Sequence, residues 1–157
     1  TSSLVGSEMC IRDRAILKEY DFPPSQLWIE ITERCRDLPI SMIKKTVTAF
    51  REAGIHITMD DYGTGSSSSQ MMLELPVEGI KIDMFFVKDI LEEKKKQALV
   101  IGMINFANAA DLKICIEGIE NDSLESYLRQ FDVTCFQGYH YSRPICQDEL
   151  MKLLIKP

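Results

Sequence analysis

The sequence predicts an α/β fold with a mainly parallel sheet, and three observations predict it. From Ala15 onward, short apolar runs alternate with amphipathic helical patterns, the form that repeated strand-helix units take in a sequence. Five of these runs read as strands: Leu27 to Ile31, His56 to Asp60, Gly79 to Asp83, Lys113 to Glu117 and Thr134 to Tyr139. With 157 residues and 45% hydrophobic content, the chain is long enough to bury the core of one domain.

Each element has its own signals. The opening Thr1 to Arg14, TSSLVGSEMCIRDR, shows neither strand nor helix period and joins abruptly to a segment that does. It resembles a translated sequencing-adapter artefact, so residues 1–14 are read as a non-native tail and 15–157 as the folded portion. Between the first two strands, Ile43, Val47 and Phe50 fall at i, i+4 and i+7 on a helix that Gly54 can end through a left-handed cap. A longer helix carries Leu99, Met103, Phe106 and Ala110 on one stripe, read as core. Asp122 or Ser123 can cap another helix that holds Leu124, Tyr127, Leu128 and Phe131. The run Lys94 to Lys96 is a solvated face.

Charge and cysteine usage exclude several function classes. A formal net charge of -6 argues against a DNA or RNA polymer as partner, while leaving a local phosphodiester site open through recruited cations. Five cysteines, Cys10, Cys35, Cys115, Cys135 and Cys146, contain no CxxC pair, so neither a disulfide framework nor a zinc knuckle is indicated, and a reducing cytosol fits. No apolar run approaches the roughly 18 residues of a membrane span.

The chemistry is written at the strand ends. Glu30 with Glu33, Asp60 with Asp61, Lys81 with Asp83, Glu117 with Glu120, and Gln137 each close one strand. Strand side chains alternate, so Ile29 and Ile31 oppose Glu30, Ile80 and Ile82 oppose Lys81, and Ile116 opposes Glu117. In a barrel the apolar partners pack under helices, while Glu30, Asp60, Lys81, Glu117 and Gln137 converge inside the C-terminal rim. An acidic strand end taken alone is more often a helix cap or a surface charge; five together reverse that reading. For Lys81, a structural ion pair with Asp61 or Asp83 stands beside a catalytic role. Clustered carboxylates repel one another unless cations neutralise them. Hard oxygen donors without His or Cys suit Mg²⁺ or Mn²⁺, and the adjacent Asp60 and Asp61 can serve two ions. His56 and His140 read as ordinary surface or rim residues. The stretch Asp60 to Ser69 reads as a mobile active-site loop, since it lacks the Gly-Lys-Ser/Thr ending of a P-loop.

Glu30-Ile31-Thr32-Glu33, Asp60-Asp61-Tyr62-Gly63-Thr64-Gly65, Lys81-Ile82-Asp83, Glu117-Gly118-Ile119-Glu120 and Gln137-Gly138-Tyr139 resemble, in order and spacing, successive motifs of the EAL-domain family. The resemblance runs from about Ala15 to Leu154 and implies a partial TIM-like (β/α) barrel made of about five C-terminal strands with flanking helices. It implies metal-dependent hydrolysis of cyclic-di-GMP to linear pGpG by a bacterial second-messenger phosphodiesterase. By motif, Glu30, Asp60, Asp61 and Glu117 are the implied metal ligands, with Asp60 the bridge. By the same resemblance Lys81 is the implied catalytic residue that positions or deprotonates the attacking water, and Glu33 the implied anchor of the loop from Tyr62 to Ser67. Gln137 and Glu120 are implied supports, either on the substrate side or behind the metal ligands.

This sequence also departs from the family pattern. It contains no Glu-Ala-Leu tripeptide before Glu30 and no Asn-bearing strand after it, so the first three of eight strands are expected to be missing and the isolated chain inactive. Ser66 replaces the usual aromatic, Ser69 the usual Leu and Ile116 the usual Ala. The competing reading is a catalytically inactive module that acts as a cyclic-di-GMP receptor or a protein-interaction domain. The resemblance leaves room for a homodimer, for an upstream GGDEF or sensory domain, and for a cytoplasmic location, free or as part of a membrane-anchored protein.

Overall fold

The computed structural model describes residues 15–32, 38–64 and 68–155. Residues 1–14, read as a tail, and Glu33, read as a loop anchor, lie outside the described residues, as do Ser66 and Ser67. Five strands, β1 (Trp28–Ile31), β2 (His56–Tyr62), β3 (Gly79–Ile82), β4 (Lys113–Ile116) and β5 (Cys135–Phe136), form one sheet in sequential order. Every pairing is parallel. Between and after them run α1 (Ile40–Glu52), α2 (Ser68–Glu74), α3 (Met84–Val87), α4 (Lys94–Ala109), α5 (Asp122–Leu128) and α6 (Gln147–Leu154).

The sheet is an arc of a barrel wall. Neighbouring strands sit about 4.8 Å apart, so a flat sheet would separate β1 from β4 by about 14 Å. Yet the Lys113 ammonium on β4 lies 4.9 Å from the centre of the Trp28 ring on β1. Only strong curvature brings them together, and it leaves one concave and one convex face. Ile57, Met59, Ile80, Ile82, Ile114 and Ile116 are at most 1% exposed and join the core cluster that includes Ile43, Val47 and Phe50 of α1 and Val100, Ile104 and Ala107 of α4. Each such aliphatic side chain contributes about 1.5–3 kcal/mol on burial.

α1 ends as its sequence predicts. Gly54 takes φ 83°, and the amides of Gly54 and Ile55 donate to the carbonyls of Arg51 and Phe50, which turns the chain straight into β2. In α4, by contrast, the buried stripe is Val100, Ile104 and Ala107, whereas Leu99 and Phe106 are 47% and 40% exposed. Both stripes fit helical spacing, and contact with β3 and β4 selects one turned by a single residue; Met103 is half-buried between them. Asn121 caps α5 instead of Asp122 or Ser123, its side chain accepting from the Leu124 amide at 2.9 Å. The last strand is shorter than the predicted Thr134 to Tyr139. At Gly138 the two backbones come so close that a Cβ would stand 2.1 Å from the Ile119 carbonyl oxygen. Past Phe136 the chain still hydrogen-bonds to the loop after β4, with Gln137 donating to Ile116, Ile119 to Gln137 and His140 to Ile119, as a turn rather than a ladder.

Candidate functional site

The polar set of the strand ends meets on the concave face. Lys81, only 7% exposed, sends its ammonium to Glu117 Oε1 at 2.7 Å, Glu30 Oε1 at 2.8 Å and Asp60 Oδ1 at 3.3 Å. Three strands thus contribute a carboxylate to one cation on a fourth. Burial by itself would push the Lys81 ammonium pKa down, but the hydrogen bonds from Glu117 and Glu30 and the charges of Glu117 and Asp60 outweigh it and hold the group well above its ordinary value. Lys81 is therefore firmly protonated in this state. Its partners are Glu30, Asp60 and Glu117, which overturns the pairing with Asp83: the Asp83 carboxylate accepts from the Phe85 amide at 2.7 Å and caps α3.

Asp60 and Asp61 are consecutive in β2, and regular alternation would send them to opposite faces. The β2–β3 register shifts between Met59 and Tyr62, and Asp61 takes φ 55°, so the strand bulges there. A bulge re-aims side chains, and Asp is among the few residues that accept the left-handed region at low cost. As a result carboxylate oxygens of Asp60, Asp61 and Glu117 all lie within 4.8 Å of one another, while Tyr62 turns into the core and stacks on Phe106 at 6.2 Å. Gly63, at φ 93°, follows, and the Thr64 hydroxyl donates to the Asp61 carbonyl at 2.9 Å.

This donor set fits a hard divalent cation. Asp60 Oδ1 is buried without a hydrogen bond, since Lys81 stands near it but outside bonding geometry. A buried acceptor left unbonded costs about 1–3 kcal/mol, which a bound cation would offset. Gln137 lines the same concavity together with Glu30 and Lys81. Glu120 does not: it is exposed and lines a separate depression beside Lys88, Gly118 and Asn121. The sequence reading passed over Trp28, Thr58, Cys115 and Cys135, which line the floor of the concavity. Each stands two residues before a predicted site residue, so strand alternation was a signal able to find them.

The two histidines lie away from this cluster. His56 stacks on Trp28, with ring centres 4.5 Å apart, and meets Glu78 at 2.5 Å at the far end of the strands. His140 joins Asp122 and Glu125 in a second group of ligand-type atoms, but Glu125 is already engaged by Tyr141 at 2.8 Å and by Arg129 at 2.5 Å. Among the described residues no helix is long and apolar enough to cross a membrane.

The model of the EAL domain matches residues 1–144. The chain is 30% identical over 138 residues to the cyclic di-GMP phosphodiesterase RocR of Pseudomonas aeruginosa, a match that takes in 87% of this chain and 35% of that protein. The solved EAL domain of Mycobacterium smegmatis DcpA aligns with a TM-score of 0.90 at 30% identity, over 96% of this chain and 68% of that one. Klebsiella pneumoniae BlrP1, solved as a manganese and cyclic-di-GMP complex, aligns with a TM-score of 0.81 at 27% identity, over 88% of this chain and 36% of that one. The first curated relatives are far longer, and the chain spans 18–20% of their length.

Proposed function

This chain belongs to the EAL domain family, and from that premise we propose that it carries the C-terminal part of a phosphodiesterase site that hydrolyses cyclic-di-GMP to pGpG in its parent domain. The observation that carries the reading is the Lys81 ammonium held between carboxylates of β1, β2 and the end of β4, beside a buried Asp60 oxygen that lacks a hydrogen bond. Such a cluster is costly to build unless cations use it.

Asp60, Asp61 and Glu117 would hold the ions, with Glu30 completing the set. Two Mg²⁺ or Mn²⁺ ions, when bound, would supply Lewis-acid activation of water and a clamp on the phosphodiester oxygens. Lys81 acts from the floor between these residues. As an ammonium it donates hydrogen bonds and orients a water oxygen; it accepts a proton only when its carboxylate partners are engaged elsewhere and its pKa falls. Gln137, on the rim of the same concavity, serves as a polar contact for substrate. In this reading Glu33 would anchor the loop from Tyr62, and Glu120 would act as an outer support. A cytoplasmic location, a homodimer and an upstream GGDEF or sensory domain go with this reading, as does completion of the site by residues beyond this chain.

The test is to assay the complete parent domain for Mg²⁺- or Mn²⁺-dependent hydrolysis of cyclic-di-GMP beside Lys81→Ala and Asp60→Ala. Activity abolished by both substitutions is expected. A complete domain that binds cyclic-di-GMP but never cleaves it, with or without either ion, would overturn the phosphodiesterase reading in favour of a receptor.

A further inference from the structure

We propose that Cys115 and Cys135 are a redox-responsive pair that closes to a reversible disulfide on the concave face, on the floor of the carboxylate cluster. The two residues are direct partners in the parallel β4–β5 register. Neighbouring strands lie about 4.8 Å apart, inside the span of about 4.4–6.8 Å between Cα atoms that a disulfide bridges. Both side chains project the same way: Cys115 stands two residues before Glu117 and Cys135 two before Gln137, and both line the cavity that holds Glu30 and Lys81. Both cysteines are free thiols. Cys135 is exposed and Cys115 half-buried, which gives the pair one sulfur open to solvent and one held behind it. Cys146, the remaining cysteine among the described residues, caps α6 and has no strand partner.

The chemistry needs a small peroxide as oxidant. The Cys135 sulfur, as thiolate, attacks one oxygen of hydrogen peroxide; the O–O bond breaks, leaving a sulfenic acid and, after proton uptake, water. The Cys115 sulfur then displaces hydroxide from that sulfenic sulfur, forming the S–S bond, and the thiol proton leaves with the hydroxide as a second water. Two thiols and one peroxide give one disulfide and two waters, and a dithiol reductant reverses the bond by exchange. The pairing rests on register and on the shared cavity lining, independently of what the carboxylate cluster does.

The test is peroxide treatment of the chain, read by intact mass and by a non-reducing tryptic map. Cleavage after Lys113, Arg129 and Lys152 places Cys115 in peptide 114–129 and Cys135 in peptide 130–152. We expect loss of two hydrogens and a linked pair of these peptides, both reversed by dithiothreitol. The link should persist in Cys146→Ser, which leaves the register untouched, and vanish in Cys135→Ser. In Cys115→Ser, Cys135 should instead gain one oxygen. A link that survives Cys135→Ser, or cysteines that both remain open to alkylation after peroxide, would overturn the proposal.

Discussion

Replacing Lys81 with methionine keeps most of the side-chain volume and removes the ammonium that pairs with Glu30, Asp60 and Glu117. Two of those carboxylates are well enclosed, Asp60 at 18% and Glu117 at 19% side-chain exposure, and Glu30, at 47%, is half in water. The bond to Glu30 therefore counts for little, and the loss is set by Glu117 and Asp60. Removing one partner of an enclosed ion pair costs about 3–5 kcal/mol, so Lys81→Met should lower unfolding stability by about that amount at pH 7 to 8. The carboxylates left behind repel one another, and at least one will be pushed up in the folded variant. Folding of the variant then takes up a proton as pH falls, so its deficit should shrink toward pH 5. Millimolar Mg²⁺ should recover more stability in the variant than in the parent chain, because the cation replaces the lost charge. Urea unfolding at pH 5 and pH 8, with and without Mg²⁺, reads all three effects. A variant as stable as the parent chain at pH 8, with no response to Mg²⁺, would refute the view that Lys81 neutralises a cation site.

Three further outcomes follow from the packing. Gly138→Ala should cost at least about 3 kcal/mol in urea unfolding, since overpacking ordinarily costs 1–3 and here the new methyl meets backbone atoms of Ile119 that cannot turn aside. An unchanged midpoint would contradict the close approach. Burial alone would raise the Glu78 carboxyl, but hydrogen bonds from His56 and Arg51 outweigh it and lower its pKa. Its stabilisation is thus complete above the ordinary carboxylate range and lost as pH falls through the depressed value, so Glu78→Gln should flatten the acid limb of the stability curve below about pH 4. Asn121→Ala should cost about 0.5–2 kcal/mol through the lost cap of α5, while Asp122→Ala, at a position 93% exposed, should cost far less; the reverse order would restore the sequence-based cap.

Much of this was legible in the sequence because strand alternation is a local rule. Glu30 and Lys81 each lie between isoleucines and Glu117 follows one, so their direction follows from their neighbours once a strand is granted, and the same rule reaches Thr58, Cys115 and Cys135 on the floor. Helix phase was less legible. In α4, Leu99 with Phe106 and Val100 with Ala107 satisfy the same spacing, and only the position of β3 and β4 decides which pair is covered. The cap of α5 failed for a related reason, as Asn121, Asp122 and Ser123 are all competent and backbone direction selects the first.

The bulge at Asp60 and Asp61 is the feature that no local rule supplies, and it decides what the site can do. An unbroken β2 would present Asp60 to the concavity and bury Asp61 under the helices, where an unpaired carboxylate would cost several kcal/mol or be driven to the neutral form. Shifting the register between Met59 and Tyr62 exchanges those positions: the Tyr62 ring takes the core place against Phe106, and the Asp61 carboxylate joins Asp60 and Glu117. The left-handed φ of Asp61 is the local cost of having two consecutive carboxylates face one site. Without that turn the cluster would offer Glu30, Asp60 and Glu117 around Lys81 and lose the Asp61 carboxylate. With it, Asp60, Asp61 and Glu117 form the three-carboxylate group that the proposed ions would use.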